Sequence, residues 1–165
     1  MNVLIPGSGS KASLAAVRHA AAILRDGRGE AILVNVQPRL TAHAARFTSR
    51  ASRDAMRAER SAHALAGART MLDAAGVAYR AIAAAGPVAS TVARIAGETG
   101  ADQVVLGTTR RPGWWQALFS PVPDIIDEVN VPVYVIGSGR SGAFERIGVP
   151  ACVGLGLTAL AIATE

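Results

Sequence analysis

Cysteine is almost absent from this chain, since Cys152 is its only one. An intrachain disulfide is therefore impossible, and the three histidines lie too far apart in sequence to form a visible metal-binding cluster with it. The first residues run directly into an apolar strand, without the basic and small-residue flanks of a secretion signal. These absences predict a cytoplasmic protein without a metal site.

Charged and aromatic residues are also scarce, at 18% and 4% of the chain, while half of the 165 residues are hydrophobic. This balance predicts one compact domain and excludes a disordered chain. The formal net charge is +5, and most of it lies between Arg39 and Arg60, where six arginines face only Asp54 and Glu59. An acidic partner is therefore a class of ligand to consider.

Short apolar runs of the kind buried in a parallel sheet recur along the chain. They predict strands at residues 3–5, 31–36, 77–84, 104–106 and 131–136. Ser10 and Gly27 bound a first predicted helix, and a long one covers residues 50–75. Pro87 suits the first position of a third helix, which ends before Gly100, and Ser120 suits the N-cap of a fourth.

Five strands that alternate with four helices predict an α/β fold, with a doubly wound parallel sheet and right-handed crossovers. Ligands of such sheets bind at the carboxyl ends of the strands. The loop after residues 104–106 is the first place to look for function, since it carries Gly107, Thr108, Arg110 and Arg111 before the fourth helix. Trp114, Trp115 and Phe119 in this loop form a lid, a subunit contact or a cover for the sheet edge.

The arginines of the long helix, together with Arg46 before it, recur at steps of four and three. If that whole stretch is helical, they form a stripe on one face. The stripe consists of Arg46, Arg50, Arg53, Arg57 and Arg60. It is either a solvated outer face or a patch for an acidic protein partner. Since no aromatic residue interleaves it, nucleic acid is not an expected partner.

Several segments together resemble the universal stress protein family over about residues 2 to 137. They include Val3-Leu4-Ile5-Pro6 followed by Ser10, Leu33-Val34-Asn35-Val36, Ala101-Asp102 up to Gly107-Thr108, and Val131-Pro132-Val133. The resemblance implies a Rossmann-like fold of five parallel strands in the order 3-2-1-4-5, with helices on both faces. It also implies a homodimer formed through the last strand, which runs from Val131 to Ile136.

Members of that family that bind ATP resemble one another in an aspartate after the first strand and in the pattern Gly-x-x-Gly-x9-Gly-Ser/Thr after the fourth. By position, the aspartate falls at Ser8 and the first glycine is kept as Gly107. The second glycine falls at Arg110, and the final pair falls at Ser120-Pro121. Pro121 and Pro123 also remove two N–H donors from the first turn of the fourth helix, to which Asp124 and Asp127 add negative charge.

A cleft between the first and fourth strands is still expected, and Arg110 and Arg111 provide charge that could hold a phosphate group there. The candidate nucleotide or anion cleft consists of Gly7, Ser8, Val36, Gly107, Thr108, Arg110, Arg111 and Ser120. Three outcomes stay open: ATP binding of the family kind, binding of another small anion or adenine nucleotide, and no small ligand. No required cofactor is predicted.

The chain after Gly137 lies outside the family pattern, so residues 1–137 form the predicted domain and residues 138–165 a linker and an apolar tail. The uncharged run from Ile147 to Ala163 would extend about 26 Å as a helix, short of a roughly 30 Å bilayer core. Docking on an apolar groove of its own or a partner subunit is favoured over membrane contact or disorder.

The function that these observations predict is a non-catalytic stress-response or regulatory homodimer with a degenerate nucleotide cleft. No Ser-His-acid arrangement, Gly-x-Ser-x-Gly elbow or pair of carboxylates at a strand end supports an enzyme. The alternative is an adenine-nucleotide-binding switch or a weak ATPase that uses Arg110 and Arg111.

Overall fold

The computed structural model describes residues 1–39, 49–108 and 122–138. The strands are β1 Asn2–Pro6, β2 Glu30–Gln37, β3 Tyr79–Ala85, β4 Gln103–Thr108 and β5 Val133–Gly137. The helices of this part of the chain are α1 Lys11–Leu24, α2 Arg50–Ala75, α3 Val88–Thr99 and α4 Val122–Glu128.

The five strands form one parallel sheet in the order β3-β2-β1-β4-β5. The predicted doubly wound, Rossmann-like fold and its strand order are therefore confirmed. In the register of the two central strands, Leu4 lies opposite Val104. The carboxyl ends of β1 and β4 are consequently neighbours at the same end of the sheet.

A hydrophobic core lies on each face of the sheet, because alternate side chains of a strand point to opposite faces. Val3 and Ile5 of β1 pack in one core with buried residues of α1 and α2, among them Leu65 and Leu72. Leu4 of β1 packs in the other core with buried residues of α3 and α4. Each fully buried Leu, Ile or Val side chain stabilises the fold by about 1.5–3 kcal/mol.

Ser10 begins α1 and Gly100 ends α3 as the sequence predicts, while α1 ends at Leu24, ahead of the predicted Gly27. The Ser10 side chain accepts a hydrogen bond from the Ser13 backbone N–H at 3.2 Å, and Ser49 caps α2 in the same way. Gly76 and Gly100 end α2 and α3 in the left-handed conformation, at φ of 65° and 60°. A residue with a β-carbon would be strained at those two positions.

Several predicted boundaries are wrong by one or two residues, among them the start of β5, which lies at Val133 instead of Val131. Strand β3 begins at Tyr79 instead of Val77, because the Val77 N–H donates to the Leu72 carbonyl at 3.0 Å and so belongs to the end of α2. Pro87 is the N-cap of α3 and not its first residue, since its carbonyl accepts from the Thr91 N–H at 3.2 Å.

Several predictions lie outside the described residues. They concern the aromatic cluster of Trp114, Trp115 and Phe119, the N-cap at Ser120, Arg46, and the tail beyond Ser138. Within the described ranges, no helix is long and apolar enough to cross a membrane. Among the same residues, no group of three or more Cys, His, Asp or Glu side chains could hold a metal ion.

Candidate functional site

The cleft expected from the sequence lies where β1 and β4 are adjacent in the sheet. From β1 the chain proceeds through β2 to β3 on one side, while β4 and β5 lie on the other side. This point, where the strand order reverses, is the usual ligand site of an open parallel sheet. Gly7 and Ser8 follow β1 while Gly107 and Thr108 end β4, so four of the predicted site residues lie at the carboxyl ends of these two neighbouring strands.

Gly107 permits an unusually close approach between β4 and the first turn of α1. A β-carbon added at Gly107 would collide with the backbone carbonyl of Ala12. Gly7 is also constrained, since a β-carbon there would lie 2.5 Å from Leu65 Cδ2 of α2. Packing against backbone atoms therefore requires glycine at position 107, whatever the cleft binds, whereas a β-carbon at position 7 would need a shift of the Leu65 side chain.

Ser8 is exposed, and its hydroxyl donates a hydrogen bond of 3.0 Å to the Ser10 hydroxyl. The Ser10 hydroxyl in turn caps α1 by accepting from the Ser13 N–H. The turn after β1 thus presents neutral hydroxyl groups beside the start of α1. The first turn of that helix contains no acidic residue, and Lys11 is exposed there.

Val36 of β2 is half-buried and packs against the core that α3 and α4 cover. It lies opposite Ala84 of β3 in the register. Val36 therefore lies on the face of the sheet that α3 and α4 cover, one strand away from the β1–β4 contact.

Two amide side chains that the sequence analysis did not single out hold the backbone of the cleft through hydrogen bonds. The buried Asn35 Nδ2 donates to the Gly7 carbonyl at 2.8 Å. Gln37 Nε2 donates to Asn35 Oδ1 at 3.0 Å and to the Arg57 carbonyl at 2.9 Å. The sequence signal that could have identified them is their spacing. Two amide residues at alternate positions where the buried run of β2 ends must lie on the same face of the strand.

The remaining predicted site residues, Arg110, Arg111 and Ser120, lie outside the described part of the chain. Helix α4, which follows that segment, begins at Val122. Asp124 lies in its first turn, as expected, but Asp127 lies near its last residue. The prediction that Asp127 adds negative charge to the start of this helix is therefore wrong.

A family model described as the universal stress protein family matches residues 1–137. The chain belongs to the universal stress protein family. The match ends at the last residue of β5. No protein with a curated description matches the chain.

Solved structures of other universal stress proteins have the same fold. A family member from Burkholderia pseudomallei is 23% identical, with a TM-score of 0.61 over 82% of this chain and 94% of that one. A family protein from Arabidopsis thaliana with AMP bound is 16% identical, with a TM-score of 0.63 over 85% of this chain and 93% of that one. An Archaeoglobus fulgidus universal stress protein in complex with dAMP is 19% identical, with a TM-score of 0.61 over 82% of this chain and 97% of that one.

Proposed function

We propose that this universal stress protein is a non-catalytic stress-response or regulatory module whose β1–β4 cleft is degenerate and does not hold ATP tightly. The observation that carries the proposal is Ser8, at the position where ATP-binding members of the family carry an aspartate. Its exposed hydroxyl is bonded to the neighbouring Ser10 hydroxyl. A neutral hydroxyl is a weaker partner for ribose hydroxyl groups than a carboxylate.

The start of α4 supports the same conclusion. A helix start binds phosphate through its free backbone N–H groups. Pro123 is the second residue of α4 and has no N–H, while Asp124 places a carboxylate in the first turn. Both features disfavour a polyphosphate at this end of the helix.

The side chains that the described residues bring to the cleft support a role without catalysis. Gly7, Ser8, Gly107 and Thr108 provide hydroxyl and backbone groups but neither a carboxylate nor an imidazole. A general base for activating water would have to be supplied from elsewhere. The module is therefore proposed to act by binding.

A second candidate function is an adenine-nucleotide switch or weak ATPase in which Arg110 and Arg111 hold the phosphate groups. The structures from Arabidopsis thaliana with AMP and from Archaeoglobus fulgidus with dAMP favour it, since proteins of this fold do bind adenine nucleotides. Arginine side chains bind phosphate through fixed pairs of donors and so can replace backbone N–H groups.

The proposed module is a cytoplasmic homodimer formed through β5. This strand ends the sheet, and two of its large side chains, Tyr134 and Val135, are 36% and 42% exposed. Because consecutive residues of a strand point to opposite faces, these two side chains leave apolar surface exposed on both faces of an edge strand, which is suited to contact with a second copy.

The nucleotide content of the purified protein tests the proposed function. The protein is prepared without added nucleotide and denatured, and the released small molecules are separated by chromatography. We expect no adenine nucleotide. A stoichiometric amount of AMP, ADP or ATP would contradict the degenerate cleft and establish the second candidate.

A further inference from the structure

A second concave site lies at the opposite edge of the sheet from β5. It is a cavity of about 510 Å³ formed by the end of β2, the edge strand β3 and the helices α2 and α3. None of the predicted cleft residues Gly7, Ser8, Gly107 and Thr108 lines it. Its volume is in the range of small-molecule sites.

Positive charge from three separate elements converges on this cavity. The lining arginines are Arg39 after β2, Arg53, Arg57 and Arg60 of α2, and Arg94 of α3. Three arginines of the predicted stripe, Arg53, Arg57 and Arg60, thus form one wall of the cavity. Arg50, at the start of α2, does not line it, and its side chain is 91% exposed.

Few carboxylates oppose these arginines. Among the described residues that line the cavity, Glu98 is the only acidic one, and both of its oxygens lie 2.6 Å from Arg94 Nη1. Asp54 Oδ1 accepts from Arg57 Nη1 at 3.0 Å. Arg39 and Arg60 form no ion pair within the described residues, and residues 40–48 contain no Asp or Glu.

Hydrogen bonds of the fold hold the backbone close to two of these arginines. The Arg57 carbonyl is bonded to Gln37 Nε2, which holds this part of α2 against the end of β2. Arg39 lies against the turn after β3, where a β-carbon added at Gly86 would be 3.9 Å from Arg39 Nε. Gly86 has a φ of 152° and its N–H donates to the Gln37 carbonyl at 3.0 Å.

The floor of the cavity is apolar and has small side chains. Ile82 and Ile95 contribute aliphatic surface, and the three successive alanines at the end of β3 present only small side chains to the cavity. Arg53 and Arg60 are seven residues apart on one helix, so their backbones are roughly 10 Å apart. Two anionic groups spaced along this wall would engage both arginines without either side chain bending toward the other.

We propose that this cavity binds a small polyanion that carries at least two phosphate or carboxylate groups on a compact body. A guanidinium group binds either kind of anion through paired N–H donors, and a concave site lined by one sign of charge concentrates oppositely charged ligands. The concavity favours a small ligand over the acidic protein partner expected from the sequence, since that partner would contact the exposed Arg50 as well.

Two alternatives for this edge predict different results. A second copy that paired with β3 would bring two sets of arginines together, which like-charge repulsion disfavours. In the second alternative, the arginines serve solely to prevent aggregation through the edge strand, as charged side chains on edge strands often do. In that case the cavity binds no anion, and removal of the arginines causes self-association.

The test is calorimetric titration of the full-length protein at low ionic strength with tripolyphosphate and, separately, with citrate. The variant Arg39→Gln/Arg60→Gln removes two arginines of the cavity. The matched control, Arg18→Gln/Arg50→Gln, removes the same charge from exposed positions that do not line it. Thermal unfolding of all three proteins establishes that they are folded.

We expect saturable binding of one polyanion per chain, weakened about tenfold or more in the cavity variant and changed less than about twofold in the control. Tripolyphosphate without citrate binding identifies phosphate as the recognised group, and the reverse identifies carboxylate. Amide shifts in the NMR spectrum should concentrate at residues 53–60 and 83–86.

Equal weakening in both variants would show attraction to net charge alone and would overturn the proposal. The absence of binding to both probes would also overturn the proposal. If the cavity variant then self-associates, the arginines protect the edge strand instead. Amide shifts confined to residues 7–10 would place the anion in the β1–β4 cleft, contradict this proposal and support the nucleotide switch. ATP titration of the cavity variant keeps the two sites distinguishable.

Discussion

The buried Asn35 side chain donates a hydrogen bond of 2.8 Å to the carbonyl oxygen of Gly7 and so joins the end of β2 to the turn after β1. Gln37 extends this connection to the Arg57 carbonyl of α2. The backbone of the candidate cleft and the arginine wall of the second cavity are therefore held by two neighbouring side chains. Their contributions can be measured separately.

Substitution of Asn35 by alanine should destabilise the protein. The change leaves the Gly7 carbonyl without its side-chain donor in a buried place and removes one of the two hydrogen bonds of Gln37 Nε2, so the free energy of unfolding should fall by about 1–3 kcal/mol. Urea denaturation measures it. Asn130→Ala, at an exposed position, is the control and should change stability by less than about 0.5 kcal/mol. Equal stability of the two variants would mean that the Asn35–Gly7 bond contributes nothing.

Glycine at position 107 should be required for the approach of β4 to α1. Gly107→Ala places a β-carbon against the Ala12 carbonyl, and the backbone shift that relieves this clash should cost about 3 kcal/mol. Gly97→Ala is the matched control, because nothing lies within 4 Å of a β-carbon there. It should raise the free energy of unfolding by about 0.5–1 kcal/mol, since alanine favours a helix interior. Denaturant unfolding of both variants checks this, and a Gly107→Ala protein of unchanged stability would contradict the packing described.

The proposed homodimer should depend on the exposed side chains of β5. Tyr134→Glu/Val135→Glu places like charges beside each other at the proposed two-fold contact and should convert the dimer to a monomer of unchanged secondary structure. Light scattering coupled to gel filtration measures the mass. Ile23→Glu is the control, since Ile23 is an exposed apolar residue on α1. A double variant that remains dimeric would place the interface elsewhere.

Much of the fold could be predicted because its determinants are local. Three of the five strands, β1, β2 and β4, are apolar runs that the parallel sheet buries on both faces, and Ser10, Gly76 and Gly100 mark helix ends through their own backbone and side-chain chemistry. Strand β3 is harder to predict from the sequence, since it is rich in alanine and contains few β-branched residues. The start of β3 was misplaced because Val77 is apolar but its N–H is used by the end of α2.

The sites were harder to predict because they depend on contacts between distant segments. Sequence spacing placed Arg53, Arg57 and Arg60 on one helix face, but could not show that Arg39 and Arg94 complete a cavity with them. The role of Asn35 depends on a carbonyl 28 residues away. Asp127 was assigned to the start of α4 because the sequence alone does not fix where so short a helix begins.

The most direct test of the degenerate cleft is calorimetric titration of nucleotide-free protein with ATP, ADP and AMP. Ser8→Asp, which restores a carboxylate beside Ser10, serves as a comparison, and Arg110→Gln/Arg111→Gln tests the arginines of the loop. The account predicts no saturable heat with the unsubstituted protein. Saturable binding with a Kd of tens of micromolar or tighter, about −6 kcal/mol or more favourable, that is lost in Arg110→Gln/Arg111→Gln would contradict it and establish the nucleotide switch.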